Sequence, residues 1–149
     1  MTTTTSRIDV EQAAPELYRA MVRLDGAVGQ SGLDPQLQEL LKFRVAQMNG
    51  CAYCMDMHGR DAVGGGERPE RLYVVAGWRE AGALFDERER AALAFVEEIT
   101  EIADHGVSDE VYGAAAEHFS EAELAALIFL GMTINAWTRL GVAAKLTPS

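Results

Sequence analysis

Residues 49–62 read NGCAYCMDMHGRDA and place Cys51, Cys54 and His58 within eight positions. Two thiols and an imidazole so close together have three readings: a redox pair, part of a metal site, or an accident of composition. On a helix turning about 100° per residue, the three side chains project within about 60° of one another. They share one stripe whatever the rest of the fold does. A C-x-x-C pair near a helix N-terminus also has a chemical reason to sit there. Unpaired backbone N–H groups and the positive end of the helix dipole stabilise thiolate, which is the reactive form of cysteine.

The metal reading needs a fourth ligand, and Glu39 on the preceding segment is the candidate. Zinc accepts such a Cys, Cys, His, Glu set. Against it, three of the four lie on one short helix, whereas structural zinc sites draw ligands from separate elements. Covalent haem attachment is excluded, because C-x-x-C must then be followed directly by His and residue 55 is Met. His105 and His118 lie in segments without ligand-like neighbours and are expected at helix ends or on exposed faces.

Glu39 has a second use. Leu37, Leu40, Leu41, Val45 and Met48 form one apolar face of its helix, and Phe43 and Ala46 continue the stripe that starts at Glu39. A buried carboxyl group without a partner has a raised pKa, which suits a general base working near neutral pH. Periodicity equally allows an ordinary surface glutamate on a helix edge.

The elements that must position these groups all read as helix. DVEQAAPELYRAMVRLDGAV begins helical, with Pro15 near the start of its main run and Leu17, Met21, Leu24 and Val28 at helical spacing. DPQLQELLKFRVAQM opens with Asp34 as N-cap and Pro35 at the first helical position, and ends at Asn49-Gly50. The next helix starts at or near Cys51 and stops at the triple glycine 64–66, which lacks the ending of a phosphate loop. A short helix follows in PERLYVVAGW, then a long one over DERERAALAFVEEITEIADHG with Asp86 and Glu89 spaced as a cap. SDEVYGAAAEHF and a closing helix from Ser120, again with capping-box spacing to Glu123, complete the chain. No repeat, linker or low-complexity tract divides it. The expectation is one compact all-α domain of about seven helices over residues 9–149, behind a short mobile tail over residues 1–8.

Composition narrows the partners. Thirteen basic against 23 acidic residues give a formal charge of −10, which repels phosphate backbones and anionic lipid, so neither nucleic acid nor membrane is expected. The run Leu124 to Thr138 carries no charge over 15 residues, short of the about 20 that span a bilayer, and reads as a buried core helix. Trp78, Trp137 and the apolar stripe of that last helix read as core or subunit interface. MTTTTSR offers no signal peptide, so a reducing cytoplasm is the expected location. There a C-x-x-C pair is reactive or metal-binding rather than a structural disulfide.

The run ELLKFRVAQMNGCAYCMDMHGRDA resembles the core motif of the alkylhydroperoxidase D (AhpD) branch of the carboxymuconolactone decarboxylase-like superfamily. That motif is a Glu, eleven intervening residues and then C-x-x-C-x-x-x-H, matched here by Glu39, Cys51, Cys54 and His58. LFDERERAALAFVEEIT, VSDEVYGAAAEHFSEAEL and INAWTRLGVA are similar to downstream segments of small members, so the resemblance covers most of residues 9–146. Two positions depart from it. Tyr53 stands where the best-known peroxidases of the family carry a second histidine, and Thr138 replaces a common Asn in a stretch whose role is expected to be structural.

The resemblance implies an AhpD-like fold, a homo-oligomer (a trimer or a hexamer) and a thiol-dependent peroxidase of antioxidant defence. It assigns the peroxidatic role to Cys54 and the resolving role to Cys51, with Glu39 and His58 as the proton relay. The substrate is then a hydroperoxide, and a thiol or dithiol partner reduces the disulfide. No metal, flavin or haem cofactor is required, because the sulfur atoms carry the electrons. The decarboxylases that name the superfamily generally work without the cysteine pair. The alternatives are a general thiol–disulfide oxidoreductase or redox sensor, a non-catalytic binding or assembly protein, and the zinc-binding protein considered above.

Overall fold

The computed structural model describes residues 6–149, and among them it contains nine α-helices and no strand. These are α1 (Val10–Ala13), α2 (Pro15–Gly29), α3 (Pro35–Met48), α4 (Ala52–Gly64), α5 (Pro69–Val74), α6 (Glu87–Thr100), α7 (Ile102–His105), α8 (Asp109–His118) and α9 (Glu121–Ala144). Two of them, α1 and α7, are single turns of four residues. Of the tail expected over residues 1–8, residues 1–5 lie outside the described residues. The Arg7 backbone N–H donates to the Ala144 carbonyl at 2.8 Å, tying this end of the chain to the end of α9.

Local chemistry sets most helix starts. Asp34 accepts from the Leu37 N–H at 3.0 Å, with Pro35 in the first turn where its missing N–H is harmless. Asp86 with Glu89, and Ser120 with Glu123, each form a reciprocal capping box. The triple glycine ends α4 as expected, with Gly66 at a φ of 105° that other residues rarely adopt. His105 and His118 close α7 and α8 and are exposed.

The single long helix expected over residues 86–106 is instead broken at Glu101, whose φ of −95° and ψ of 29° interrupt it. Two interactions explain the break. The Thr100 hydroxyl donates back to the Val96 carbonyl at 2.7 Å, a pattern that bends helices. The Glu98 carboxylate also accepts from the backbone N–H and the hydroxyl of Ser108 at 2.7 and 3.0 Å, which requires the chain to double back within ten residues. The segment after α5 tightens into a 3-10 helix over Val75–Glu80.

Helix α3 lies at the centre, packed on α4, α6 and α9, and Leu40, Leu41 and Val45 are fully buried there. Helix α9 packs against α2, α3, α4, α6 and α8 through Leu127, Leu130 and Ile134. It is long and apolar enough to cross a membrane by composition alone, yet its packed face makes it a core helix. Its other face is not covered. Phe129 and Met132 are 46% and 51% exposed, and Leu17 on α2 is 74% exposed.

One buried charge ties the core together. The Glu97 carboxylate, 6% exposed, accepts from Arg44 Nε at 2.9 Å, Trp78 Nε1 at 2.9 Å and Arg79 Nη1 at 2.8 Å. Burial pushes its pKa up, but the three donors together outweigh burial and hold it below the usual carboxylate range. A depressed carboxyl pKa stabilises the fold above the unfolded value and loses that contribution as pH falls through the folded one. Glu97→Ala is expected to cost about 3 kcal/mol at neutral pH, since it leaves Arg44 and the Trp78 N–H unpaired. Urea unfolding measured against pH should show the wild-type advantage shrinking once pH drops below about 4.3. A pH-independent gap would show that the carboxylate charge is not what stabilises.

Candidate active site

The turn between α3 and α4 builds the site. Asn49 closes α3, and Gly50 follows at a φ of 64°, a conformation that favours glycine. The Cys51 N–H then donates back to the Ala46 carbonyl at 3.1 Å. Asn49 fixes this turn to α9 by donating from Nδ2 to Asn135 Oδ1 and to Thr138 Oγ1, both at 2.9 Å. Thr138 is fully buried and donates in turn to the Asn135 carbonyl at 3.0 Å, so its role is structural.

Cys51 is the N-cap of α4, and its sulfur accepts from the Cys54 N–H at 3.3 Å. The two cysteines are joined as a disulfide, with Cα atoms 5.3 Å apart. Both are buried at 2% exposure, in a small cluster with Ala46 and Met55. Helix α9 reaches them only because residue 141 is glycine. A Cβ there would stand 2.9 Å from Cys51 Sγ and 3.4 Å from Cys54 Sγ.

Antiparallel packing of α4 on α3 brings His58 to Glu39, with Nδ1 2.8 Å from Oε2. The other carboxylate oxygen accepts from Lys42 Nζ at 3.1 Å. The raised carboxyl pKa expected for an unpartnered Glu39 is therefore not found. Burial does push it up, but the His58 hydrogen bond and the Lys42 charge outweigh burial and hold it below the usual range. An ionised Glu39 can only accept, so His58 donates to it through Nδ1–H and leaves Nε2 as the ring nitrogen open to other partners. Glu39 is thus an orienting anion, and His58 is the group able to take a proton.

Cys54 and His58 line a cavity of about 230 Å³ between α2, α4 and α9, and Cys51 is not among the described residues that line it. Tyr53 lines the same cavity and is 36% exposed, standing where the motif's second histidine would be. The four residues expected from the sequence are therefore assembled, as a disulfide beside a carboxylate–imidazole pair. In the disulfide the sulfurs are not thiolates, so the four-ligand zinc set is not formed in this state. Glu39, His58 and Asp61 bring one ligand atom each within 4.8 Å of one another, but both Glu39 oxygens already accept from His58 and Lys42.

Sequence reasoning missed Lys42 and Gly141. Lys42 had a signal, an i to i+3 spacing from Glu39 that pairs opposite charges on a helix. Gly141 had none, because the contact that requires it lies about ninety residues away in the chain.

The model of the carboxymuconolactone decarboxylase family matches residues 15–98, which include the whole constellation. The chain belongs to this family. Among the family's proteins, the uncharacterized YdfG of Bacillus subtilis is 37% identical over 137 residues, covering 92% of each chain. A crystal structure from Agrobacterium tumefaciens, of a protein of unknown function assigned provisionally to antioxidant defence as AhpD, superposes with a TM-score of 0.93. It is 32% identical and covers 97% of this chain and 99% of its own, so the fold is AhpD-like. The debrominase Bmp8 shares that fold at a TM-score of 0.80 and 16% identity, over 100% of this chain and 94% of its own. The fold therefore does not specify one reaction.

Gly141→Ala is expected to crowd both sulfurs and to destabilise the oxidised protein by about 1–3 kcal/mol, the usual cost of overpacking. Thermal unfolding under non-reducing conditions checks it. A variant as stable as the wild type would mean that α9 does not press on the dithiol.

Proposed function

We propose that this protein is a thiol-dependent peroxidase that reduces hydroperoxides through the Cys51–Cys54 pair. The observation carrying this reading is that Cys54, beside His58, lines the cavity while Cys51 does not. An incoming peroxide meets one sulfur, and the second waits behind it. The AhpD-like fold, and the provisional antioxidant-defence assignment of the Agrobacterium tumefaciens protein, support the same reading.

The cycle starts from the dithiol. His58 Nε2 takes the Cys54 proton, and the ionised Glu39 stabilises the imidazolium through Nδ1–H. The thiolate attacks the terminal peroxide oxygen, so an S–O bond forms and the O–O bond breaks. The leaving alkoxide takes up a proton as alcohol, and Cys54 is left as sulfenic acid. The Cys51 thiol then attacks that sulfur, the S–S bond forms and water leaves. One peroxide has gained two electrons and two thiols have lost them. An external thiol or dithiol reductant restores the pair, which places the cycle in a reducing compartment such as the cytoplasm.

Titrating the reduced protein with hydrogen peroxide and with an organic hydroperoxide, while counting free thiols, tests this. Both thiols should disappear at one equivalent of peroxide. Cys54→Ser should abolish the rapid phase, whereas Cys51→Ser should leave a sulfenic acid that a dimedone probe traps. Oxidation no faster than that of free cysteine would sink the peroxidase. Disulfide exchange with model disulfides but no peroxide turnover would instead favour the general oxidoreductase.

The uncovered apolar faces of α2 and α9 support assembly with further copies of the chain, as a trimer or hexamer. Phe129 and Met132 on α9 and Leu17 on α2 are large apolar side chains left exposed, the kind of surface that marks an interface. Phe129→Lys is expected to lower the mass seen in sedimentation to that of a monomer. An unchanged oligomer would place the interface elsewhere.

A further inference from the structure

The cavity in front of Cys54 has a chemical character of its own. Val22, Met57, Leu140 and Leu146 contribute apolar wall, and Trp137 stands edge-to-face with Tyr18 at 5.5 Å between ring centroids. At about 230 Å³ it lies below the roughly 300–1,000 Å³ typical of pockets for drug-sized ligands. That leaves room for about one ring with short branches. Among the described residues that line it there is no lysine or arginine, and the formal charge they bring is Asp25. Asp25 is half-buried and has no salt-bridge partner among the described residues. Tyr18 on the same wall has acidic neighbours: burial first, and then Glu11, Tyr53 and Asp9, push its phenol above its ordinary pKa. The buried cation Lys42 is paired with Glu39.

We propose that Asp25 is a specificity-determining residue, which makes this cavity accept compact, neutral, apolar hydroperoxides and reject those that carry a carboxylate. An apolar ring gains by leaving water for the aromatic and aliphatic wall. A carboxylate would lose hydration, find no lysine or arginine among the described lining residues and share the cavity with Asp25. Like charges held together at a dry site are a general device for rejecting the wrong ligand. The proposal rests on the peroxidase reading for the word hydroperoxide, but the selectivity belongs to the cavity itself.

Its test therefore begins with unreactive ligands. The oxidised protein is titrated with 2-phenyl-2-propanol and, separately, with 2-phenylpropanoate, with Trp137 fluorescence as the signal. The alcohol should bind at least about tenfold more tightly than the carboxylate. Asp25→Asn should narrow that ratio to about threefold or less, chiefly by improving the carboxylate. Asp25→Ser serves as a second variant should the first unfold. Equal binding of both ligands by the wild type, no binding of either, or a ratio unmoved by the variants would overturn the proposal. In parallel, the reduced protein is reacted with cumene hydroperoxide and with linoleate hydroperoxide. If neither oxidises the thiols while the binding preference holds, the peroxidase reading fails and the selectivity stands. If both react rapidly at a ratio that Asp25→Asn leaves unchanged, the selectivity fails and the peroxidase stands.

Discussion

The hydrogen bond between His58 Nδ1 and Glu39 Oε2, 2.8 Å long, is the interaction that gives the rest of the site its meaning. It orients the imidazole that lines the cavity together with Cys54. It also joins α3 to α4 at the far side of their turn. Lys42 completes it from the same face of α3 and keeps the carboxylate ionised despite partial burial. A carboxylate alone at this position would tend toward the neutral acid and would leave the histidine unoriented. The cluster is a three-residue device in which charge on one member sets the protonation of another.

Helix α9 is the second constraint. It packs on both α3 and α4 and closes the site at three levels. Asn135 and Thr138 hold the Asn49 turn, Gly141 admits the two sulfurs, and Trp137 with Leu140 walls the cavity. These residues all lie within about two turns of one rigid element, so the sulfurs, the turn and the cavity are positioned together. The same helix turns an apolar face outward. Buried and exposed apolar residues therefore share one element, which is why its composition alone resembles a membrane span.

How much of this was legible in the sequence differs by element. Asp34-Pro35, Asp86 with Glu89, and Ser120 with Glu123 marked helix starts because capping is local chemistry between residues three apart. The break at Glu101 was not legible, since Glu98 reaches Ser108 only after the chain has turned. The stripe of Cys51, Cys54 and His58 followed from helical spacing within one segment. Glu39 could be proposed as their companion, but its protonation could not be read, because the pairing with His58 spans two helices.

The sequence by itself determined an all-helical chain and the C-x-x-C-x-x-x-H stripe with a glutamate twelve positions before it, because such features depend on neighbours within a few turns. The tertiary structure decided what those residues do to one another. It paired Glu39 with His58 and Lys42, reversing the expected direction of the carboxyl pKa. It set Cys54 rather than Cys51 against a cavity, and it brought Gly141 and Asp25 to the same place from distant parts of the chain. Electrostatics and exclusion of water act through space, and only the folded chain brings those groups within reach of one another.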